Sequence, residues 1–132
     1  MIPKFRAWYT PFGGSVKQFN KMKHGSAGSL LTHAEMSPDD YKIMQSTGLK
    51  DKNGVEIFEG DILLHTSKSV NYSDTYWHSY VQAYRMDNGA YRIRGAHIYD
   101  TELMGARNHL EVVGNIYEHA DLLKKDRFMT ED

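Results

Sequence analysis

Alternating apolar and polar side chains along most of the chain predict a mainly β protein. The first predicted strand spans residues 2–9, where aromatic side chains fall on both faces of the pleat. Further strands are predicted at 62–65, 75–86, 90–98 and 110–116.

Asparagine–glycine pairs are predicted to join these strands. Asn53-Gly54 is the preferred pair for a type I′ turn, in which both central residues have positive φ, so 49–52 and 55–58 are predicted to form a hairpin. Asn88-Gly89 predicts a second tight turn of the same kind. The residues predicted to be structural turn positions are Gly48, Asn53, Gly54, Gly60, Asn88 and Gly89.

The remaining segments are predicted to be loops and short helices. Residues 13–31 are rich in Gly, Ser, Lys and Asn, which predicts a long loop, with or without a short hairpin of its own. Residues 37–44 open with Ser-Pro-Asp-Asp and predict one helical turn, or else a turn leading into a strand. Residues 119–125 predict a short helix, and residues 128–132 a frayed tail.

Composition narrows the class of protein. The chain has 132 residues, the usual size of one domain, and its 40% hydrophobic content is that of a globular protein. It contains no cysteine, which excludes disulfides, thiolate metal sites and a thiol nucleophile. Without an apolar run long enough for a signal peptide or a membrane span, the protein is expected in the cytoplasm.

Catalytic and metal-binding patterns are not found in the sequence. The seven histidines include no pair at helical spacing, although His78 and His97 lie in strands predicted to be hairpin partners. Asp51 and Asp61 are expected to cap turns through their side-chain oxygens, and Glu56 to face solvent. We therefore expect no catalytic residues, no metal, no cofactor and no enzyme activity.

The charge is unevenly distributed. The net charge is −1, but residues 1–34 carry five bases and no acid. This basic, aromatic-containing region predicts a candidate nucleic-acid contact made of Lys4, Arg6, Trp8, Lys17, Lys21 and Lys23. The interpretation we favour is that the aromatic residues pack in or beside the core while the lysines solvate a loop.

A second candidate surface is rich in tyrosine and tryptophan. It consists of Tyr72, Tyr76, Trp77, Tyr80, Tyr84, Tyr91 and Tyr99. Aromatic side chains in excess of what one core face needs often mark a protein interface. Burial on both faces of the sheet, beneath long loops, is the alternative.

Three blocks of the sequence resemble the signature of the YopX family, and they occur in the same order. They are IPKFRAW at 2–8, MQSTGLKDKNGVEIFEGDI at 44–62 and LEVVGNIYE at 110–118. Together they cover roughly a quarter of the chain. The sequence departs from the family pattern at Tyr9, where the family usually has an acidic residue, and at His119-Ala120, where it usually has Asn-Pro. The second departure weakens the predicted N-cap of the last helix.

The resemblance implies a fold and a genetic origin but no activity. The implied fold is a small SH3-like β-barrel with irregular insertions, a long N-terminal loop region and a short C-terminal helix. Within a single domain, 1–132, we assign a strand and basic loop region to 1–46, the barrel core to 47–118, and a helix and tail to 119–132. The implied origin is a phage or prophage, so the protein would act in the cytoplasm of a bacterial host cell.

The leading functional hypothesis is a non-enzymatic accessory protein that binds another protein, self-association included. The alternative is a nucleic-acid-binding module that uses the basic N-terminal quarter. No membrane partner is expected.

Overall fold

The structure, a computed structural model, describes residues 4–131. It confirms the predicted mainly β fold, with 46% strand and 21% helix, and its sheet is a curled antiparallel half-barrel accompanied by a few short helices. The chain divides into two compact units, Met1–Ser46 and Thr47–Asp132, and the boundary between them falls inside one long strand.

The first unit contains β1 (Phe5–Tyr9), β2 (Lys21–Gly25), α1 (Ala27–Met36) and the start of β3 (Tyr41–Lys50). Strand β1 is central, with β2 and β3 antiparallel on either side. Two short 3₁₀ helices, Pro11–Gly14 and Lys17–Phe19, connect β1 to β2. Ile2 and Pro3 of the first predicted strand lie outside the described residues.

The prediction of a long loop over residues 13–31 was wrong, because this segment contains β2 and the first half of α1. Helix α1 begins at a serine N-cap, where the Ser26 hydroxyl accepts a hydrogen bond from the Ser29 amide at 3.2 Å. Leu30 is buried and anchors the helix. Serine and glycine, which indicate loops in isolation, here begin a helix whose stability comes from packing.

The helical turn predicted for residues 37–44 is also wrong. The Asp40 amide donates to the Ser37 carbonyl at 3.0 Å, which closes a turn, and β3 begins at the next residue. The alternative, a turn leading into a strand, is what the structure contains.

The second unit contains the end of β3 and seven further strands. They are β4 (Glu56–Phe58), β5 (Asp61–Lys68), β6 (Thr75–Arg85), β7 (Tyr91–Arg94), β8 (Thr101–Glu102), β9 (Leu110–Asn115) and β10 (Phe128–Glu131), with α2 (Leu103–Ala106) and 3₁₀ helices at Arg107–His109 and Ala120–Lys124. The strand order is β8-β7-β6-β5-β9, and β10 pairs with β6. Its core is formed by Ile57, Leu63, Val81, Ala83, Ile93, Leu103, Ala106 and Leu110.

The C-terminal region differs from its prediction in two ways. The helix predicted at 119–125 is a 3₁₀ helix, Ala120–Lys124, and no side-chain hydrogen bond caps its start. Residues 128–131, predicted to be frayed, form β10, because Phe128 stacks on His78 with ring centroids 4.9 Å apart and the backbone pairs with β6. Asp132 lies outside the described residues.

The turn between β3 and β4 contains Asn53-Gly54 but is not of type I′. Only Gly54 has positive φ, at 82°, and its amide donates to the Asp51 carbonyl at 3.1 Å. This is the pattern of a type I turn followed by a residue in the left-handed region. Gly89 repeats it between β6 and β7, with φ of 90° and a 2.9 Å bond to the Met86 carbonyl.

A single buried carboxylate fixes the first of these turns. One oxygen of Asp51, Oδ1, accepts hydrogen bonds from the amides of Asn53 and Val55, both at 2.8 Å. The other, Oδ2, accepts from the amide of Val112 in β9, also at 2.8 Å. Asp51 is only 4% exposed, so it joins the turn to β9 from inside the unit.

A histidine connects three strands at the other end of the sheet. The two ring nitrogens of His78 in β6 are hydrogen-bonded to the Thr66 hydroxyl of β5 at 2.8 Å and to the Thr130 hydroxyl of β10 at 2.6 Å. Burial, and secondarily the Lys52 ammonium group, lowers the pKa of His78 below its ordinary value. In β5, burial and then the neighbouring His109 lower the pKa of His65.

We expect replacement of Asp51 to lower stability strongly. Asp51→Asn leaves an amide group where a carboxylate accepted three backbone N–H bonds, so the free energy of unfolding should fall by about 2–4 kcal/mol. Urea denaturation measures the difference. The matched control is Asp87→Asn, an exposed aspartate in the β6–β7 turn, for which a change below about 0.5 kcal/mol is expected. Equal losses in the two variants would contradict this role of Asp51.

We expect stability to decrease as the pH falls below about 6.5. A lowered pKa in the folded state means that the unfolded chain takes up protons on His65 and His78 first, so acid favours unfolding until the pH passes below the folded-state pKa values. Urea denaturation at about pH 7.5 and about pH 5.5 tests this expectation. The double variant His65→Gln/His78→Gln should show a smaller pH dependence, whereas Lys68→Gln should retain that of the wild type.

Candidate functional site

The strongest candidate site lies on the outer face of β6. Side chains of a strand alternate between two faces, and in β6 Ser79, Val81 and Ala83 are buried on the core side. The other positions of that alternation are half-buried and carry ring side chains except at Gln82, which lies between Tyr80 and Tyr84. We call the aromatic face the set formed by Tyr76, His78, Tyr80, Tyr84 and Phe128.

Strand β10 extends this face across the sheet. Phe128 is paired with His78 in register, stacks on its ring at 4.9 Å and lies 6.2 Å from the ring of Tyr80. The phenyl ring nevertheless remains partly exposed. The rings of His78, Tyr80 and Phe128, from two strands, therefore form one contiguous and partly accessible surface.

A charged cluster holds Tyr84 at the far end of the aromatic face. Its hydroxyl donates to Asp100 Oδ2, while Arg92 Nε donates to Asp100 Oδ1 at 2.5 Å. These hydrogen bonds, that of Tyr84 first, lower the pKa of Asp100, and the bond to Asp100 raises the pKa of the Tyr84 hydroxyl. The Arg94 guanidinium group lies 4.3 Å from the centroid of the Tyr84 ring. The tyrosine is thus held neutral and in a fixed orientation.

The structure brings together only part of the aromatic set predicted from the sequence. Tyr76, Tyr80 and Tyr84 share the outer face of β6. Trp77 lies on the opposite face of the same strand, and Tyr91 of β7 packs against the core. Trp77 and Tyr91 are separated from these three tyrosines because strand alternation places their positions on the other side of the sheet.

Two further members of that set lie away from the strand. Tyr72 is exposed in the loop before β6, and Tyr99 is 95% exposed after β7. The prediction missed His78 and Phe128, which complete the aromatic face. For His78 the alternation of β6 was a usable signal, since it lies at an even position between two tyrosines. For Phe128 the short run Phe-Met-Thr was the only signal, and its pairing with a distant strand was not predictable.

The basic set predicted from the sequence, consisting of Lys4, Arg6, Trp8, Lys17, Lys21 and Lys23, does not converge on one surface. Arg6 is only 7% exposed, and its guanidinium group donates to the Met44 sulfur at 3.6 Å. The β1–β2 register places Trp8 beside Met22 on the same face as Arg6. Lys21 and Lys23 lie opposite Tyr9 and Ala7, on the other face of the sheet. Lys4 and Lys17 are exposed outside these two strands.

The other polar candidates have structural contacts. Phe58 donates its amide proton to Asp61 Oδ2 at 2.8 Å, so this carboxylate, like that of Asp51, caps a turn. The His97 ring lies 3.7 Å from Asp126 Oδ1, whereas His78 contacts two threonines.

Within residues 4–131 no group of three or more His, Asp or Glu side chains is placed to hold a metal ion. The same residues form no helix with the length and apolar character needed to cross a bilayer.

Comparison with solved structures gives a match over nearly the whole chain. The crystal structure of protein EF1440 from Enterococcus faecalis superposes with a TM-score of 0.54 at 29% sequence identity, covering 93% of this chain and 99% of that one. The comparison with curated proteins gave no match.

The family comparison agrees with the sequence blocks. The model of the family described as YopX protein matches residues 4–124, which include the two later signature blocks and most of the first. The match extends across both compact units and most of the described strands. The chain belongs to the YopX family.

Proposed function

We propose that this protein is a non-enzymatic accessory protein of a phage or prophage that works by binding other protein chains, a second copy of itself included. The binding surface is the aromatic face. The half-barrel that carries it is, in this proposal, of the SH3-like type, and the protein acts in the cytoplasm of the bacterial host.

The observation that carries the proposal is the aromatic face itself. A sheet face turned away from the core normally presents polar side chains, because those positions are solvated. Here every fourth position of β6 carries a tyrosine, at Tyr76, Tyr80 and Tyr84, and β10 adds Phe128. Large, rigid aromatic rings contribute contact area with little loss of side-chain entropy, which is why they dominate the energetics of protein interfaces.

The fixed geometry of the face also favours binding. Tyr84 is held by Asp100 and Arg92, and His78 by two threonine hydroxyls. Side chains that are already ordered in the free protein lose less freedom when a partner docks. The binding surface is therefore largely preorganised.

Self-association is supported by the charge of the two units. The first unit contains six bases and three acids, and the second contains ten bases and fourteen acids, giving +3 and −4. Opposite charges on two parts of one chain make two copies electrostatically complementary to each other. A second copy is thus the first partner to test.

We expect the wild-type protein to form an oligomer whose stability depends on Tyr80. Replacing a central interface aromatic with alanine commonly costs about 2 kcal/mol, so Tyr80→Ala should weaken association by roughly thirtyfold. Size-exclusion chromatography with light scattering over a range of concentrations measures this change. The matched control is Tyr99→Ala, which removes a 95% exposed tyrosine outside the aromatic face and should leave association unchanged.

Capture from a bacterial lysate tests a partner other than the protein itself. A protein retained by the wild-type chain and by Tyr99→Ala, but lost with Tyr80→Ala, would support the proposal. Thermal denaturation of each variant checks that the fold is intact. A strictly monomeric chain that retains no protein in this comparison would contradict it.

A further inference from the structure

The first unit contains an aromatic cavity that is separate from the aromatic face. It has a volume of about 380 Å³ and is lined by Tyr9, Pro11, Phe12, Phe19 and Lys21. These residues come from β1, β2 and the two 3₁₀ helices between them. The cavity is open to solvent, mostly apolar and lined by one charged group, so it offers a surface on which a ligand can lie.

Phe12 is held in this cavity at an energetic cost. Its φ is +60°, a left-handed conformation that costs roughly 1–2 kcal/mol for a residue with a side chain. The amide and the hydroxyl of Ser15 both donate to the Phe12 carbonyl, at 3.3 and 2.8 Å, and fix this conformation. The ring is nevertheless 71% exposed, so packing does not explain why a phenylalanine occupies a position suited to glycine.

The rings around the cavity present an open stacking surface. Phe19 is 51% exposed and meets Phe12 edge-on, with centroids 6.2 Å apart. Tyr9 is fixed from behind, because Tyr41 packs against it at 4.8 Å and the Lys23 ammonium lies 4.0 Å from its centroid. The accessible rings are therefore those of Phe12 and Phe19.

The charge around the cavity favours an anion. Lys21 lines the cavity and is exposed, and Lys23 lies on the same face of the sheet. No acidic residue occurs among the first 34 positions, and the acidic residue that adjoins the region is Asp40, whose backbone carbonyl accepts from the Thr10 amide at 2.7 Å. The cavity thus joins an aromatic stacking surface to a positive charge.

We propose that this cavity binds a nucleobase that carries a phosphate, with the base stacked on Phe12 and the phosphate at Lys21. A flat ring with a negative group at its edge matches both features, and base–aromatic stacking depends little on which base is present. The same chemistry occurs in a free nucleotide and in one unit of a single-stranded nucleic acid. The site shares no residue with the aromatic face. Of the six residues of the nucleic-acid contact predicted from the sequence, it uses Lys21, together with the aromatic rings beside it.

Isothermal titration with three probes tests the ligand chemistry. AMP should bind, whereas adenosine, which lacks the phosphate, and ribose 5-phosphate, which lacks the base, should each bind about tenfold more weakly or worse. Affinity for AMP should fall as salt increases. Absence of AMP binding, together with absence of binding to a ten-nucleotide thymidine oligomer, would overturn the proposal.

The variant Phe12→Gly separates binding from folding. Glycine adopts positive φ without strain, so the melting temperature should stay the same or rise, while the affinity for AMP should fall about tenfold. Phe12→Tyr keeps a stacking ring and should retain binding. Unchanged affinity in Phe12→Gly would overturn the proposal, and so would a lower melting temperature, which would indicate a structural role for the ring.

Charge variants and a second ligand class complete the test. Lys21→Gln should weaken AMP binding and reduce its salt dependence, whereas Lys68→Gln, an exposed lysine of the second unit, should change neither. If the thymidine oligomer binds more tightly than AMP, the ligand is single-stranded nucleic acid. If the two bind with equal affinity, the ligand is a free nucleotide. Binding of a proline-rich peptide in place of both would overturn the proposal. Because Phe12→Gly leaves the aromatic face intact, its oligomeric state should equal that of the wild type.

Discussion

The architecture of the second unit depends on the buried carboxylate of Asp51. A charged group in the interior is tolerated only when hydrogen bonds replace its water, and here three backbone amides from two separate segments do so. The same carboxylate that shapes the β3–β4 turn therefore fixes the position of β9. Ile57 and Leu110, which follow the turn and begin β9, can then meet in one core. A short-range turn and a long-range strand pairing are set by one side chain.

Local patterns were sufficient to predict most of the second unit. Strand β6 and its return through Gly89 were predictable because alternation has period two and glycine favours positive φ. The turn type was not predictable, since the Asp51 side chain competes for the amides that a type I′ turn would leave free. Residues 13–36 escaped prediction because their polar composition hides α1, whose stability comes from the burial of Leu30.

The candidate sites were predictable in residue type more than in arrangement. Tyr76, Tyr80 and Tyr84 occur at every fourth position, so strand alternation alone predicts that they share one face. The position of Phe128 depends on strand pairing between distant segments, which a single sequence does not encode in any local pattern. The basic residues of the first unit are close in sequence, yet the β1–β2 register divides them between two faces.

The pairing of β10 with β6 has a consequence for synthesis on the ribosome. His78 and Thr130, which join the two strands, are 52 residues apart, and at about 5–20 residues per second this interval takes roughly 3–10 s to translate. During that time residues 75–78 of β6 have no strand on the side that β10 later covers. Unpaired amide and carbonyl groups along a sheet edge attract other extended chains. The nascent polypeptide therefore passes through an aggregation-prone interval that ends only when its own late strand arrives.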